Sequence, residues 1–341
     1  MTTPVNNSPS IQPQLMMKNM TPSLAYDGGD VRAWQQRFAP RLAEVMGLDL
    51  QIDRRVPLNV RSLWTRPHEH GTIEKIVFTA EPGSDVPAYV CLPKGVKPPY
   101  KFFICLQGHS TGMHNSIGVT RADETQPQPI EGDRDFGIGC IARGVAALCI
   151  EQRSFGERGE TSIPAGFDYL CHQAVVHAMM LGRTLIGERV FDVDRGIDYL
   201  ESRGDVDMSR VGVMGNSGGG TVTMFCSLLP RLRLAMPSCC FSTFRQSLMS
   251  IFHCMCNYLP GLYPLADMAD VVGLYAPRPV VVVSGKEDGI FPLSGARSEF
   301  ARLKSIYEGL GAGNKCKLVE GNGGHRFYAD DAWPVMLGMM K

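Results

Sequence analysis

The sequence predicts an α/β fold, a mostly parallel central sheet flanked by helices. Two patterns carry that expectation. After Lys101, short runs of continuous apolar residues recur at 102–106, 145–150, 211–214 and 279–283, as strands do when helices cover both of their faces. Between them, helical stretches occupy 132–143, 168–203 in two pieces, 218–229 and 294–309, and alternation of this kind implies βαβ crossovers. Residues 242–276 break the rhythm with Phe, Met, Cys, His, Tyr and Pro and no strand pattern. They are expected to form a cap-like insertion over the C-terminal edge of the sheet, where open α/β sheets bind their ligands.

Upstream of the parallel strands the texture differs. Residues 1–28 read as a poorly ordered leader, because Met1 to Asn19 is rich in Asn, Pro, Ser and Gln and lacks the apolar core of a signal peptide. From Asp30, a plausible N-cap, Trp34, Phe38, Leu42, Val45 and Met46 recur at helical spacing to about Leu48. This is expected to be an N-terminal helical arm. Residues 73–80 and 87–92 alternate around Glu81-Pro82-Gly83-Ser84 and read as antiparallel strands joined by a turn. At ~150 residues per domain a chain of this length could hold two domains, yet 29–341 reads as one.

Composition narrows the function classes. Lys plus Arg and Asp plus Glu both number 34 in 341 residues, so no long-range field draws in a polyanion, and neither nucleic acid nor an acidic membrane is expected as a partner. No apolar run approaches the ~20 residues that span a bilayer. The 11 cysteines are odd in number and irregularly spaced, and Cys91, Cys105, Cys149 and Cys226 sit inside apolar runs, where a thiol behaves as a small hydrophobe. A reducing compartment fits better than a disulfide framework, and the expected location is cytoplasmic.

The strongest chemical signal is Gly215-Asn216-Ser217-Gly218-Gly219, a G-x-S-x-G directly after the strand pattern RVGVM and before a helical run. A serine on so sharp a strand-to-helix turn needs small neighbours, and its hydroxyl projects above a helix N-terminus that favours developing negative charge. The sequence has no G-x-x-x-x-G-K-[ST], so the turn is not a P-loop. It resembles the nucleophile elbow of α/β-hydrolases, where an acid and then a His follow in chain order. Asp288 lies in the loop after the strand 279–283, and His325 in the glycine-rich loop GNGGHRFY near the C-terminus. The expected triad is Ser217, Asp288 and His325, because serine at neutral pH needs a positioned base. Gln107-Gly108-His109-Ser110 follows the first parallel strand, and the N–H groups of His109 and Gly218 are the expected oxyanion hole.

With these motifs in place, the chain resembles acetyl xylan esterase and cephalosporin-C deacetylase-like α/β-hydrolases, related to dienelactone hydrolases. The resemblance runs from about Trp34 to Trp333 through GHSTG (108–112), the segment 142–158, CNYLPGL (256–262), 274–292 and GNGGHRFY (321–328). It implies a cofactor-free serine esterase that removes acetyl or other short acyl groups from a sugar or small-molecule ester. It supports the same triad and a backbone donor just after Gly108. Secreted members carry a signal peptide, and its absence favours a small or oligosaccharide ester inside the cell over extracellular xylan.

Weaker constellations remain open. Glu151, Arg153 and Arg158 follow a parallel strand and either orient a polar substrate or form structural salt bridges. Asn257 and Tyr258 either bind a sugar hydroxyl or serve packing. Phe244, Met249, Phe252, Met255, Tyr258 and Leu259 are expected to cap the pocket. His68-Glu69-His70 reads as a solvated loop. His253-Cys254-Met255-Cys256 and Cys239-Cys240 match no paired zinc knuckle, so no metal is expected. A serine peptidase or amidase on the same fold, and a non-catalytic binding protein, are the competing functions. A homo-oligomer is compatible with either.

Overall fold

The computed structural model describes residues 5, 7–160 and 171–340. β1 (Arg61–His68), β2 (Gly71–Glu81) and β3 (Ser84–Pro93) form an antiparallel meander. β4 (Tyr100–Leu106), β5 (Ala146–Ile150), β6 (Val206–Asn216), β7 (Leu234–Ser238), β8 (Val280–Gly285) and β9 (Cys316–Gly321) run parallel to one another. The spatial order is β1-β2-β3-β5-β4-β6-β7-β8-β9, with β3 antiparallel to β5. The chain leaves β4 for β5 on one side and returns to β6 on the other. That reversal makes the C-terminal ends of β4 and β6 the switch point, the place where a ligand crevice opens in such sheets.

Ten helices accompany the strands among the described residues: α1 (Ile11–Asn19), α2 (Val31–Met46), α3 (Asp49–Ile52), α4 (Phe136–Ile141), α5 (His172–Met180), α6 (Leu185–Arg203), α7 (Gly218–Phe225), α8 (Met268–Gly273), α9 (Leu293–Glu308) and α10 (Ala329–Met339). The sheet sorts its side chains with a period of two. Phe102, Ile104 and Leu106 join the core formed with α2, α6, α7, α8 and α9, whereas Phe103 and Cys105 join the one formed with α4 and α10. Trp34, Phe38 and Phe191 fill the first core, and Phe136 and Trp333 the second. Among the described residues no helix is long and apolar enough to cross a membrane.

Four features depart from the sequence expectations. Residues 11–28 are ordered, because their backbone finds partners far along the chain: Ser23 and Leu24 donate to the carbonyls of Pro264 and Leu265 at 2.9 and 2.8 Å, and Tyr26 to Asp270 at 2.9 Å. Residues 1–4 and 6 of the expected leader, and 168–170 of the expected helix, lie outside the described residues. The helix expected over 132–143 shortens to α4, preceded by a 3₁₀ turn at Glu131–Asp133. β1, β7 and β9 are strands without a legible strand pattern in the sequence. β7 carries Pro237, a residue that argues against a central strand, and β9 is half polar at the sheet edge. His68-Glu69-His70 accordingly forms the β1–β2 hairpin connection.

α2 owes its start to Asp30, whose carboxylate accepts from the N–H groups of Arg32 at 2.8 Å and Ala33 at 3.1 Å. Asp30→Ala removes that cap and should cost about 1 kcal/mol. Urea unfolding of the two proteins, compared at equal m-value, measures it.

Candidate active site

Ser217 stands between β6 and α7 with φ 56° and ψ −122°, a backbone that costs energy for any residue with a Cβ. Two close approaches impose it. A Cβ on Gly215 would lie 2.5 Å from the Gly219 carbonyl group, and one on Gly219 would lie 2.1 Å from the Leu106 oxygen. The glycines therefore let the turn fold back on itself and against β4. The Ser217 N–H donates to Ser238 O at 2.9 Å and the Thr221 N–H to Ser217 O at 2.8 Å. Both bonds hold the turn in place.

Asp288 and His325 arrive on loops after β8 and β9 and meet directly. His325 Nδ1 lies 2.8 Å from Asp288 Oδ2, while Asp288 Oδ1 accepts from the N–H groups of Ile290 at 2.9 Å and Phe291 at 3.1 Å. Burial pushes the carboxyl's pKa up. The hydrogen bond and charge of His325, with the two N–H groups, outweigh that and hold it below the usual aspartate value. The loops are themselves tied: Lys286 N donates to Gly321 O at 3.0 Å and Glu287 N to Gly323 O at 2.8 Å. A Cβ on Gly285 would sit 2.1 Å from Gly324 O, so the approach requires glycine there. His325 Nε2 is buried with no hydrogen-bond partner among the described residues.

Ser217 and His325 line one cavity of about 610 Å³ together with Gly108, His109 and Asn216, a volume in the range of small-molecule sites. The loop after β4 is pinned by Gln107, whose Nε2 donates to Ser116 Oγ at 2.8 Å and Arg134 O at 2.7 Å. Gly218, the first residue of α7, has an N–H without an intrahelical acceptor. A Cβ on it would lie 2.8 Å from the His109 ring, so glycine lets that ring sit against the elbow. Arg134, Phe155 and His253 also line the cavity. No cavity-lining role is legible for them in the sequence: Arg134 lies in no motif, Phe155 falls within 142–158 and His253 within the run His253-Cys254-Met255-Cys256.

The polar candidates sit elsewhere. Arg153 pairs with Asp192 through two bonds of 2.9 and 2.8 Å and with Glu81 at 2.8 Å, and Arg158 pairs with the same Asp192 at 2.6 Å. These guanidinium groups neutralise buried carboxylates, the salt-bridge alternative of the two expected for them. Glu151 is buried and accepts from Met113 N and Glu157 N, each at 3.0 Å. Tyr258 donates its hydroxyl to Leu248 O, and Asn257 is buried beside it at a separate, smaller cavity that Phe244, Met249 and Leu259 also line. Of the expected cap residues, only Phe252 faces the cavity of Ser217. The rest are drawn into apolar packing under the insertion.

Residues 10–304 match the model of the Abhydrolase family. The chain belongs to that family. YtaP of Bacillus subtilis strain 168, assigned as a hydrolase, is 24% identical over 282 residues, 80% of this chain and 88% of its own length. A Bacteroides fragilis protein assigned as an acetyl xylan esterase superposes with a TM-score of 0.75 at 16% identity, covering 97% of this chain and 84% of its own. A glucuronoyl esterase from Solibacter usitatus gives 0.63 at 16% identity, covering 94% and 96%. At such identities the superpositions establish the α/β-hydrolase fold.

Within this Abhydrolase-family chain, Glu151 gives the site a pH-dependent support. Burial raises its pKa to about 7 from 4.5, against the opposing Glu157 and Met113 N–H groups. The folded protein then binds the proton more tightly than the unfolded chain. Its contribution, up to about 3 kcal/mol, is full below pH 4.5 and lost as pH rises through about 7. The melting temperature should fall between pH 5 and 8, and Glu151→Gln should flatten that fall. Calorimetry across the range checks both.

Proposed function

We propose that this Abhydrolase-family chain is a serine esterase that removes acetyl or other short acyl groups from a sugar or small-molecule ester. The observation that carries the reading is the Asp288–His325 hydrogen bond at 2.8 Å on the rim of the cavity that also exposes the strained Ser217. With Nδ1–H donating to Asp288, Nε2 keeps a lone pair and takes the Ser217 proton as Oγ attacks the ester carbonyl. The tetrahedral oxyanion forms beside α7, where the N–H groups of Gly218 and His109 stabilise it. Collapse expels the alcohol, which takes the proton from His325. Water then attacks the acyl-enzyme with the same histidine as base. Asp288 stays ionised throughout, in keeping with its lowered pKa.

The solved structures named for acetyl xylan and glucuronoyl esters support ester over amide chemistry, and the acetyl xylan esterase supports a carbohydrate alcohol. A cavity of about 610 Å³ has room for a sugar ring beyond an acetyl group.

Ser217→Ala should lower kcat/KM for p-nitrophenyl acetate by on the order of 10⁴ while the thermal melt stays close to that of the parent. Activity within tenfold of the parent would remove the serine from the mechanism, and faster turnover of an aminoacyl-p-nitroanilide would favour an amidase.

The neighbouring carboxylates separate cleanly. Asp288→Asn should cost on the order of 10³–10⁴ in kcat, the loss that follows when the histidine's tautomer is no longer held. Glu287, which faces solvent, should tolerate Gln with less than a tenfold change. Steady-state kinetics of the pair decide the assignment.

A further inference from the structure

His109, Cys171, Cys254 and Cys256 come from three separate stretches of the chain and meet beside the Ser217 cavity. Cys254 Sγ lies 2.8 Å from Cys171 Sγ and 3.2 Å from Cys256 Sγ, and Cys256 Sγ lies 3.0 Å from His109 Nε2. The ligating atoms of His109, Cys254 and Cys256 all fall within 4.8 Å of one another. Thiols are weak donors and weak acceptors, so a chain of sulfur contacts gains little from hydrogen bonding alone. A cation at their centre would gain a bond from each.

We propose that these four side chains form a tetrahedral Cys₃His zinc site. Three thiolates and an imidazole are the donor set of structural zinc, and the absence of a carboxylate or carbonyl ligand within the set disfavours magnesium and calcium. With Zn–S bonds of about 2.3 Å, tetrahedral geometry spaces the sulfurs roughly 3.7 Å apart. Loading therefore spreads the Cys171–Cys254 and Cys254–Cys256 contacts by less than about 1 Å, while Cys171, which lies outside the 4.8 Å group formed by the other three, also moves in toward His109. Three of the ligands sit at helix starts: Cys171 is the N-cap of α5, Cys254 the N-cap of the 3₁₀ turn Met255–Asn257, and Cys256 lies within that turn.

The surroundings fit a charged thiolate centre. Arg189 Nη1 donates to Cys256 Sγ at 3.4 Å, while its Nε and Nη2 are held by Arg153 O at 3.0 and 2.8 Å. An N–H donor aimed at a ligating sulfur is the outer-shell support that metal sites use. A disulfide between Cys171 and Cys254 would engage only two of the four groups and leave the His109–Cys256 contact without a purpose. Zinc binding stands apart from the esterase reading. Its structural effect is to tie the insertion, the entry to α5 and the His109 loop into one unit at the cavity wall.

The test is made on the full chain expressed with added zinc and purified without chelator, under reducing conditions. Elemental analysis should find about one zinc per chain. Exchange into cobalt(II) should produce intense thiolate-to-cobalt charge-transfer absorption in the near ultraviolet. Cys254→Ser and Cys256→Ser should each weaken zinc binding at least tenfold, while Cys316→Ser, a buried thiol elsewhere, should not. If either variant fails to fold, the wild-type zinc content and cobalt spectrum decide alone. A zinc-free wild type without charge-transfer absorption overturns the site, as does zinc retention in both variants. Peptide mapping that finds a Cys171–Cys254 disulfide in zinc-free protein overturns it in favour of an oxidised pair.

Discussion

The close approach of two main chains at the Ser217 turn governs the rest of the molecule. β6 must end against β4 so tightly that Gly219 comes within reach of the Leu106 carbonyl, and no side chain fits there. That contact forces the serine into a left-handed backbone and aims it away from the sheet. It also requires β4 and β6 to be neighbours, which the crossover order supplies. The histidine and acid loops then need only converge on one point. They do so as a pair, joined by backbone hydrogen bonds at Gly321 and Gly323 before any side chain is considered.

Charge is handled by a different rule on the flank of the site. Glu81, Asp192, Arg153 and Arg158 would each be costly to bury singly, and together they satisfy one another. Arg153 and Arg158 follow β5 toward the ligand edge but turn back to carboxylates on β2 and α6. Glu151 does the equivalent for two loops, accepting N–H groups from the turn at Met113 and from Glu157. The cavity rim is thereby braced by polar groups that do not enter the cavity.

What the sequence made legible follows from the range of the forces involved. The elbow is local: glycine, strand and helix lie within a dozen residues, so the signal survives without any tertiary knowledge. That Asp288 and His325 come together was readable from chain order and from the glycines that their loops need. Arg153 and Arg158 were ambiguous because their partners lie as far away in sequence as Glu81. β7 was hidden by Pro237, whose cost is absorbed by pairing on both sides. The thiol cluster was hidden because spacing along the chain describes Cys254 and Cys256 alone, while Cys171 and His109 arrive through the fold.

Every residue of α7 is buried. A helix enclosed on all sides cannot shift without opening the core around it, so Ser217 at its N-cap, the nucleophile of the proposed mechanism, is fixed in position. Adaptation must then come from the opposite wall, where Phe252 and His253 hang over the cavity just before the 3₁₀ turn Met255–Asn257. Drift in that segment can change what is bound while the reacting groups stay still. The architecture thus divides into a half that sets the chemistry and a half free to choose the customer.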